Sequence, residues 1–332
     1  MTDRPDARPE SRFAAADRQI EPLSVDDARS LVDRVVENVS HVVVGKDDVV
    51  EDALVALLAR GHLLLEDVPG VGKTVLSRSI AASVDGRFSR VQFTPDLLPT
   101  DVTGTNVLDE SDGSFAFQPG PVFGNVVLGD EINRAPPKTQ SALLEAMEEG
   151  QVTVDGETHR LPDPFFVVAT ENSVERDRVY ELPVAEVSRF SKKLRLGYPG
   201  TESEVEMLDR VVGHHPVDDV EPVASVEALR RARETAAGVE TAEPVRRYVT
   251  LLAEFTREDA ALGVSPRGSI ALLRCAQARA VLDGRDYVVP DDVKREAPSV
   301  FTHRIRAETG ADLGGESAER VVERALERVP VE

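Results

Sequence analysis

The sequence predicts an α/β protein: a three-layer αβα sandwich around a mostly parallel sheet, followed by an all-helical second domain. Two observations lead to this prediction. Between residues 62 and 196, short apolar segments alternate with segments of helical periodicity, as strands joined by crossover helices do. Beyond residue 200, every segment with periodic apolar residues is helical. A chain of 332 residues is long enough for about two domains. We place a tail at 1–22, the αβα core at 23–200 and the helical domain at 201–332.

The segment before the sheet contains a tail and two helices. Residues 1–22 are polar and lack apolar periodicity, so we predict a mobile tail. Ser24 is a candidate N-cap with Asp27 three positions later, and apolar residues at helical spacing follow as far as Val39. A second helix is predicted over 47–60.

The other elements follow from apolar periodicity and from turn residues. Strands are predicted over 62–66, 88–93, 126–130, 165–169 and 192–196, with helices over 74–84 and 137–149. Asp155-Gly156 at the centre of 151–161 predicts a β-hairpin. In the second domain, helices are predicted over 202–213, 225–237, 243–257, 266–282 and 316–328.

The composition excludes some classes of function. Against 39 basic residues stand 60 acidic ones, and the net charge of −21 disfavours nonspecific binding to DNA or to anionic membranes. An acid-rich surface with six lysines is typical of proteins from a salty cytoplasm, where a Debye length of about 3 Å screens self-repulsion. We therefore predict a halophilic source. No apolar run reaches the ~18 residues of a membrane span, and the N-terminus lacks an apolar signal segment, so we predict a cytoplasmic protein without membrane insertion.

The loop Pro69-Gly70-Val71-Gly72-Lys73-Thr74 predicts a nucleoside-triphosphate site. An apolar strand precedes the loop and a helix follows it. Backbone amides at the helix N-terminus can therefore bind phosphate oxygens, and the two glycines let the backbone wrap around them. Lys73 would reach the β- and γ-phosphates, and Thr74 would hold Mg²⁺. The general pattern begins with glycine, whereas Asp67 occupies that position here, and an ordinary turn is the alternative interpretation.

Polar residues also end two further apolar strands. Asp130 and Glu131 end the segment that begins at Val126, and Asp130 follows Lys73 by 57 residues. In a nucleotide-binding sheet, the first acid can hold the metal through water and the second can polarise the water that attacks the γ-phosphate. Asn172, after the strand that begins near residue 165, could orient that water or contact the γ-phosphate. A turn-forming asparagine is the alternative.

Several stretches resemble the MoxR family of AAA+ ATPases, and the match runs from about residue 40 to 295. The longest are Gln-Phe-Thr-Pro-Asp-Leu-Leu-Pro-Thr-Asp-Val-Thr-Gly-Thr at 92–105 and Asp-Glu-Ile-Asn-Arg-Ala-Pro-Pro-Lys-Thr-Gln-Ser-Ala-Leu-Leu-Glu-Ala-Met-Glu-Glu at 130–149. Shorter ones lie at 44–45, 118–123, 265–267 and 283–287. The segment 104–118, with Phe115 and Phe117, is similar to the insert that defines this branch of the family. The hairpin at 151–161 is similar to a feature near the pore.

This resemblance implies an AAA+ P-loop core with a C-terminal helical lid, and it implies roles for individual residues. The implied nucleotide-binding residues are Gly45, Pro69, Gly70, Val71, Gly72, Lys73, Thr74 and Asp130, with Thr74 and Asp130 on the metal. The implied catalytic residues are Glu131 as the water-activating acid, Asn172 as the first sensor, Arg189 as the arginine finger and Arg267 as the second sensor. Asp67 matches an acid that the family often has. The chain departs from the family at Glu171 and Ser173, where the family usually has glutamine and proline, and at Ser188, where it commonly has an acid. The stretch 175–179 is also unusual for the family.

The resemblance also implies an activity and partners. An arginine finger reaches the nucleotide of a neighbouring subunit, so a homo-oligomeric ring is implied, usually of six subunits. ATP hydrolysis with Mg²⁺ would drive chaperone-like remodelling or maturation of a partner, often a separate protein with a von Willebrand factor A domain. Three alternatives stay open. The chain could be a non-hydrolytic nucleotide switch, it could be a DNA-associated motor, which its charge disfavours, or it could use GTP in place of ATP.

Overall fold

The computed structural model describes residues 20–111, 113–172, 180–211, 216–307 and 317–331. The predicted tail at 1–22 lies almost entirely outside these residues. Ser24 caps the first helix as predicted, because its Oγ accepts a hydrogen bond from the Asp27 amide at 3.1 Å.

In chain order the helices are α1 (Val25–Ser40), α2 (Asp47–Leu58), α3 (Lys73–Ser83), α4 (Pro99–Thr103), α5 (Pro137–Glu149), α6 (Val184–Val187), α7 (Thr201–Val211), α8 (Val226–Gly238), α9 (Glu243–Glu258), α10 (Pro266–Leu282), α11 (Pro290–Phe301) and α12 (Ala318–Arg328).

The strands include every segment that the sequence predicts, with ends that shift by up to three residues. In chain order they are β1 (Leu63–Asp67), β2 (Phe88–Gln92), β3 (Gly104–Asp109), β4 (Ser114–Pro119), β5 (Val126–Asp130), β6 (Gln151–Val154), β7 (Glu157–Arg160), β8 (Phe166–Asn172) and β9 (Lys192–Leu194). The predicted hairpin around Asp155-Gly156 is confirmed as the pair β6–β7.

A parallel sheet with the strand order β2-β5-β8-β1-β9 forms the centre of the core. Alternate residues of a strand point to opposite faces. Leu63 and Leu65 accordingly join one apolar cluster with α1, α2 and α3, whereas Leu64 joins a second cluster with α5. The three-layer αβα core is therefore confirmed. Because these strands run in one direction, their carboxyl ends meet at one edge of the sheet, here called the carboxyl edge, and their amino ends at the opposite amino edge.

The segment 104–118 forms an antiparallel hairpin, β3–β4, which periodicity alone did not predict. This hairpin touches the second hairpin, β6–β7. Asn106 Nδ2 donates to Asp155 Oδ2 at 2.8 Å, and the rings of Phe117 and His159 stack with centroids 3.8 Å apart. Phe115 points outward with 72% of its surface exposed. The two hairpins therefore form one unit at the side of the core.

Helices α7 to α12 follow the last strand of the sheet and are here called the lid. Apolar residues of α8 to α12 continue into the αβα core. Leu31 of α1 and Val50 of α2 belong to the same cluster as Leu272 of α10 and Val293 of α11. The lid is therefore packed directly on the first two helices of the chain. The domain boundary at residue 200 stays a prediction.

Helix α11 is missing from the sequence prediction. Pro298 lies inside it, and sequence reading treats an interior proline as a stop signal. The apolar face of this helix, formed by Val293, Ala297, Val300 and Phe301, is completely or almost completely buried. Burial of that face outweighs the hydrogen bond that the proline removes.

A buried ionic cluster joins the lid to the core at the amino edge. Lys192, the first residue of β9, has its Nζ 2.6 Å from Glu296 Oε2 of α11 and 2.8 Å from Asp52 Oδ1 of α2. Arg279 of α10 contacts Glu296 Oε1 at 2.7 Å and also Asp52. Lys192, Arg279 and Glu296 are at most 1% exposed. The cluster therefore connects two lid helices to α2 and β9 through full charges.

Candidate nucleotide site and an arginine-lined face

The predicted phosphate loop joins β1 to α3 at the carboxyl edge. Gly70 and Gly72 have φ angles of 85° and 102°, a region that only glycine adopts without cost. No heavy atom lies within 4 Å of the position that a Cβ would take at either glycine. The backbone conformation, and not crowding, therefore requires glycine at both positions.

Lys73 and Thr74 begin α3 directly after this loop. The Lys73 side chain is 8% exposed, and its Nζ donates to the Asp67 carbonyl at 3.3 Å. This bond folds the ammonium group back across the loop. The N-terminus of α3 and the ammonium thus concentrate positive charge at the turn, as a phosphate site requires.

Asp67, at the position of the missing first glycine, is a buried anchor for the loop. Its Oδ1 accepts from the Val68 amide at 2.8 Å, and its Oδ2 accepts from the Gly197 amide at 2.7 Å. Gly197 belongs to the segment that leads into the lid. The carboxylate therefore ties the phosphate loop to the connection between core and lid.

Gly45 lies beside the same connection. Its φ is +70°, and a Cβ at this position would lie 2.2 Å from Ser203 Oγ of α7. The next residue, Lys46, donates from its Nζ to the Tyr198 carbonyl at 2.9 Å. Gly45 therefore lies against the start of the lid. Lys46 bonds to Tyr198, and the preceding Gly197 bonds to Asp67, so two hydrogen bonds link this segment to the phosphate loop.

Thr170 holds the two predicted acids at the end of β5. Its Oγ1 donates to Asp130 Oδ1 at 2.7 Å and accepts from the Glu131 amide at 2.9 Å. Arg90 of β2 donates to the other oxygen, Asp130 Oδ2, at 2.6 Å. A single hydroxyl from β8 therefore fixes the carboxylate of one acid and the backbone of the other.

Glu131 has a left-handed backbone conformation, with φ 56° and ψ 50°. A residue other than glycine in this region costs on the order of 1–3 kcal/mol, and such strain concentrates at functional sites. The carboxylate Oε2 accepts from Gln92 Nε2 at 2.9 Å and from Arg134 at 2.7 Å. The side chain is thereby held at the carboxyl edge.

Asn172 is the last residue of β8 and is buried. It lies in register with Asp67, the last residue of β1. Since β8 lies between β1 and β5, Asn172 stands between the strand that carries the phosphate loop and the strand that carries the two acids. The structure therefore brings Lys73, Asp130, Glu131 and Asn172 to one edge, as the sequence predicts.

Glu171, one residue before Asn172, is an unusual acid for this position. Burial raises the pKa of its carboxyl, the positive charge of Lys193 lowers it, and the negative charge of Glu66 raises it. Glu66 lies in register with Glu171 on the neighbouring strand. Lys193 Nζ approaches Glu66 at 3.0 Å and Glu171 only at 3.9 Å. The two acids therefore compete for one lysine.

Arg189 and Arg267 converge on one carboxylate, that of Glu148 near the end of α5. Arg189 Nε lies 3.5 Å from Glu148 Oε2, and Arg267 pairs with Glu148 Oε1. Arg267 is the second residue of α10. Core and lid thus each contribute one arginine to the same acid.

This arginine pair lies at the amino edge, opposite the phosphate loop. Arg189 precedes β9, whose first residue Lys192 is in register with Leu63, the first residue of β1. His62, just before β1, lies 3.1 Å through its Nε2 from the carbonyl of Met147, the neighbour of Glu148. The five residues of β1 separate the two edges by roughly 15 Å. The structure therefore does not bring the two arginines to Lys73 of the same chain.

A cavity of about 430 Å³ opens at this arginine pair. Among its described lining residues one carboxylate, that of Glu148, faces a set of guanidinium groups: Arg60, Arg189, Arg267, Arg274 and Arg304. His62 also lines the cavity, and burial lowers the pKa of its ring to about 4, which keeps the ring neutral at pH 7. Arg60 pairs with Glu234 at 2.6 Å, but the other guanidinium groups still outnumber Glu148. This excess of positive charge, in a chain of net charge −21, predicts an anionic ligand.

Several residues of the site were not singled out from the sequence. Gln92 and Thr170 could have been found from the sequence, because each is a polar residue at or near the end of a predicted strand. Arg90 lies within a strand, and its contact with Asp130 depends on strand order. Glu148 is one of two consecutive acids on an amphipathic helix, where a solvated acid is the ordinary interpretation. Its contact with Arg267 spans 119 positions.

Comparisons with known proteins agree with this arrangement. Residues 62–192 match the domain family described as ATPase family associated with various cellular activities (AAA), and residues 252–325 match the AAA lid domain. The chain is 47% identical over 308 residues to the Bacillus subtilis protein YeaC, itself uncharacterized, with 92% of this chain and 96% of that protein covered. It is 40% identical over 309 residues to Chaperone MoxR1 of Mycobacterium tuberculosis, with 90% and 81% covered.

A solved structure has the same fold. The crystal structure of a proposed ATPase from Cytophaga hutchinsonii superposes with a TM-score of 0.87 at 37% identity and covers 93% of this chain and 97% of its own. No helix within the described ranges is long and apolar enough to cross a membrane.

Proposed function

The chain belongs to the MoxR family of AAA+ ATPases, and from that membership we propose that it hydrolyses ATP to ADP and phosphate between neighbouring subunits of a ring. The observation that carries the proposal is the arrangement at the carboxyl edge. Lys73, Asp130, Glu131 and Asn172 come from separate strand ends and a helix start, and they meet beside the phosphate loop.

The chain's own residues account for most of the chemistry. Lys73 and the amides of α3 would hold the β- and γ-phosphates, and Asn172 would orient the attacking water. Glu131 would accept the proton of that water. Gln92 and Arg134 both donate to Glu131 Oε2, so we propose Oε1 as the proton acceptor.

The carboxyl edge also suits Mg²⁺. Thr74 and Asp130 supply a hydroxyl and a carboxylate oxygen, and Mg²⁺ is usually held by one or two carboxylates together with waters and substrate phosphates. Groups of three or more His, Cys, Asp or Glu side chains that could cage a metal are absent from the described residues, which fits an ion that arrives with its nucleotide. Bound there, Mg²⁺ would neutralise charge on the β- and γ-phosphates.

We propose that the arginine-lined cavity receives the triphosphate of a neighbouring subunit. Arg189 would be the finger on that γ-phosphate, and Arg267 would contact the same nucleotide from the lid. Their position at the edge opposite their own phosphate loop supports action on a neighbour. Head-to-tail contacts of this kind close into a ring, and the family resemblance favours six subunits.

The work that hydrolysis drives is proposed by analogy. One relative bears the name Chaperone MoxR1, and we propose chaperone-like remodelling or maturation of a separate partner, with a von Willebrand factor A domain protein as the first candidate. Contact between the two hairpins and the exposed Phe115 support a client contact at that unit.

The charge of −21 supports a halophilic, cytoplasmic setting. We expect ATP turnover and folded state to require salt near 1 M or above, since a Debye length of about 3 Å then screens acid–acid repulsion. Far-UV circular dichroism and phosphate release measured across a KCl series test this expectation. Full folding and activity in dilute buffer would contradict it.

The decisive experiment compares the wild-type chain with Glu131→Gln in high salt. The variant should bind ATP as tightly as wild type but release phosphate about 10²- to 10⁴-fold more slowly, since general-base catalysis contributes that much. A wild-type chain that releases no phosphate, with or without a partner, would favour the nucleotide switch. Strong stimulation by DNA would favour the DNA-associated motor, and GTP turnover above ATP turnover would revise the substrate.

A further inference from the structure

Arg304 is a buried arginine in the lid, between α11 and α12. It ends a short 3-10 helix, Thr302–Arg304, that continues α11, and it is 3% exposed. Its guanidinium also borders the arginine-lined cavity. Neither composition nor motif distinguishes this residue in the sequence.

The guanidinium of Arg304 binds backbone carbonyls of the loop that carries Arg189. One nitrogen donates to the Ser188 carbonyl at 3.1 Å and to the Phe190 carbonyl at 2.6 Å, and another donates to the Ser191 carbonyl at 3.2 Å. Ser188 and Phe190 are the direct neighbours of Arg189, and Ser191 follows one position later. One side chain, 113 to 116 positions away in the chain, therefore binds carbonyls on both sides of Arg189, in addition to the backbone bonds of this segment.

Arg304 also packs against the start of α10. A Cβ on Gly268 would lie 2.8 Å from Arg304 Cδ and 2.5 Å from Val264 Cγ1, so glycine is required for this approach. Gly268 directly follows Arg267. The Arg304 side chain thus passes beneath one arginine of the pair and reaches the loop of the other.

The guanidinium of Arg304 contacts backbone carbonyls and the Nε2 atom of His303, at 2.6 Å, and not an acid. Within the described part of the chain no carboxylate pairs with it, whereas the buried Arg279 has three. Burial lowers the pKa of Arg304 to about 10, so the group remains charged at neutral pH. A charged planar donor with several fixed N–H groups holds a loop more firmly than a neutral side chain can.

We propose that Arg304 is a positioning residue for the arginine finger: it holds the loop around Arg189 so that the finger reaches the ATP of the neighbouring subunit. Because Arg304 belongs to the lid, ATP hydrolysis in the neighbouring subunit then depends on how the lid of this subunit packs on its core. The inference rests on the proposed function, because it takes Arg189 as the finger.

The first test is Arg304→Gln, which removes the charge and most of the donors. We expect kcat to fall roughly 10- to 100-fold, because a catalytic group displaced by about 1 Å costs that much, while the Kd for ATP stays within about twofold. Arg304→Lys keeps the charge on a single nitrogen and should lose less, and it serves as the variant should Arg304→Gln not fold. A kcat within twofold of wild type for both variants would overturn the inference.

A matched control separates positioning from stability. Arg233 is 4% exposed, and burial lowers its pKa to about 10 as well, but it pairs with Asp163 at 3.0 Å. Arg233→Gln should lower the melting temperature about as much as Arg304→Gln and leave kcat within twofold. Equal losses of kcat in the two variants would assign Arg304 a merely structural role.

Rings assembled from two different variants give a second test, because a merely structural role of Arg304 would not restore phosphate release in them. Arg304→Gln subunits keep their own phosphate loop and acids, and Glu131→Gln subunits keep an intact finger. In a 1:1 mixture about a quarter of all sites would combine intact acids with an intact finger, so activity should rise to about a quarter of wild type. A defect within the variant's own site would not be rescued.

The same mixture with Arg189→Ala separates the two claims. Recovery with Arg189→Ala but not with Arg304→Gln would overturn the role of Arg304 and leave the proposed function intact. Failure of both mixtures would overturn the finger in trans, and with it the basis of this inference. Recovery of both supports the positioning role.

Discussion

The carboxyl edge and the amino edge of the same sheet carry two different kinds of site. At the carboxyl edge, each functional residue lies at the end of its strand or at the start of the helix that follows it, and hydrogen bonds such as Thr170 to Asp130 link neighbouring strands. At the amino edge, Glu148, Arg189, Arg267 and Arg304 come from a core helix, a loop, the lid helix α10 and the turn that follows α11. The first site is built by the sheet, and the second is built by the contact between lid and core.

Because of this difference, the two edges are held in place by different parts of the structure. The sheet fixes the strand ends of the carboxyl edge through backbone hydrogen bonds, and Asp67 links the phosphate loop to the start of the lid through the Gly197 amide. The two arginines are placed by backbone bonds, such as that from the Ser191 amide to the His62 carbonyl at 2.8 Å, and in addition by side chains of the lid. Their placement depends on side-chain contacts across the lid, and these contacts could transmit the state of one subunit to the nucleotide of the next.

The largest expected effect on kcat comes from removing Arg189, the proposed finger at the amino edge. Arg189→Ala should reduce kcat about 10³-fold or more, the usual contribution of an arginine finger, and leave the Kd for ATP nearly unchanged. Steady-state phosphate release and equilibrium ATP binding measure the two quantities. Arg246→Ala, an exposed arginine of α9 outside the cavity, is the control and should leave kcat within about twofold. A parallel loss of ATP affinity would mean that Arg189 acts on its own subunit's site.

The attachment of the lid is the next target. Glu296→Gln leaves Lys192 and Arg279 buried with one partner charge fewer. Breaking a buried ion pair in this way costs about 3–5 kcal/mol, which denaturant unfolding in high salt should detect. Asp291→Asn on the same helix, where the acid is 86% exposed, should change little. Equal small shifts for both variants would contradict a structural role for the ionic cluster.

At the carboxyl edge, Thr170→Val tests whether one hydroxyl organises both acids. The substitution keeps the side-chain shape but removes the bonds to Asp130 and to the Glu131 amide. We expect kcat to fall about 10- to 100-fold through misplacement of the acids, with the finger unaffected. Thr170→Ser retains the hydroxyl and should recover most of the activity. If valine and serine behave alike, the hydroxyl has no such role.

The smallest effect concerns Glu171. Its pKa is raised, mainly by burial, so the folded chain holds this proton more tightly than the unfolded chain does. Its contribution to stability is therefore present below the ordinary value of 4.5 and is lost as the pH rises through the raised pKa. Glu171→Gln should raise the melting temperature by about 1–2 °C at pH 8, and the gain should shrink toward pH 5. Glu202→Gln on the exposed side of α7 is the control, and a gain that does not depend on pH would rule out titration of Glu171 as the cause.

The sequence by itself determined the three-layer core, the family and the residues of the carboxyl edge. This was possible because strand and helix periods are local, and because Lys73, Asp130, Glu131 and Asn172 lie within a few residues of a strand end. Parallel strands must bring their carboxyl ends to one edge, so position along each strand was enough to predict that these residues meet.

Only the tertiary structure decided the amino edge, the continuity of the lid with α1 and α2, and the helix that contains Pro298. Glu148 looks like a solvated acid and Arg304 like any basic residue until the lid is folded onto the core. Their contacts join residues more than a hundred positions apart, and the burial that selects such contacts is a property of the whole packed chain, which no local pattern contains.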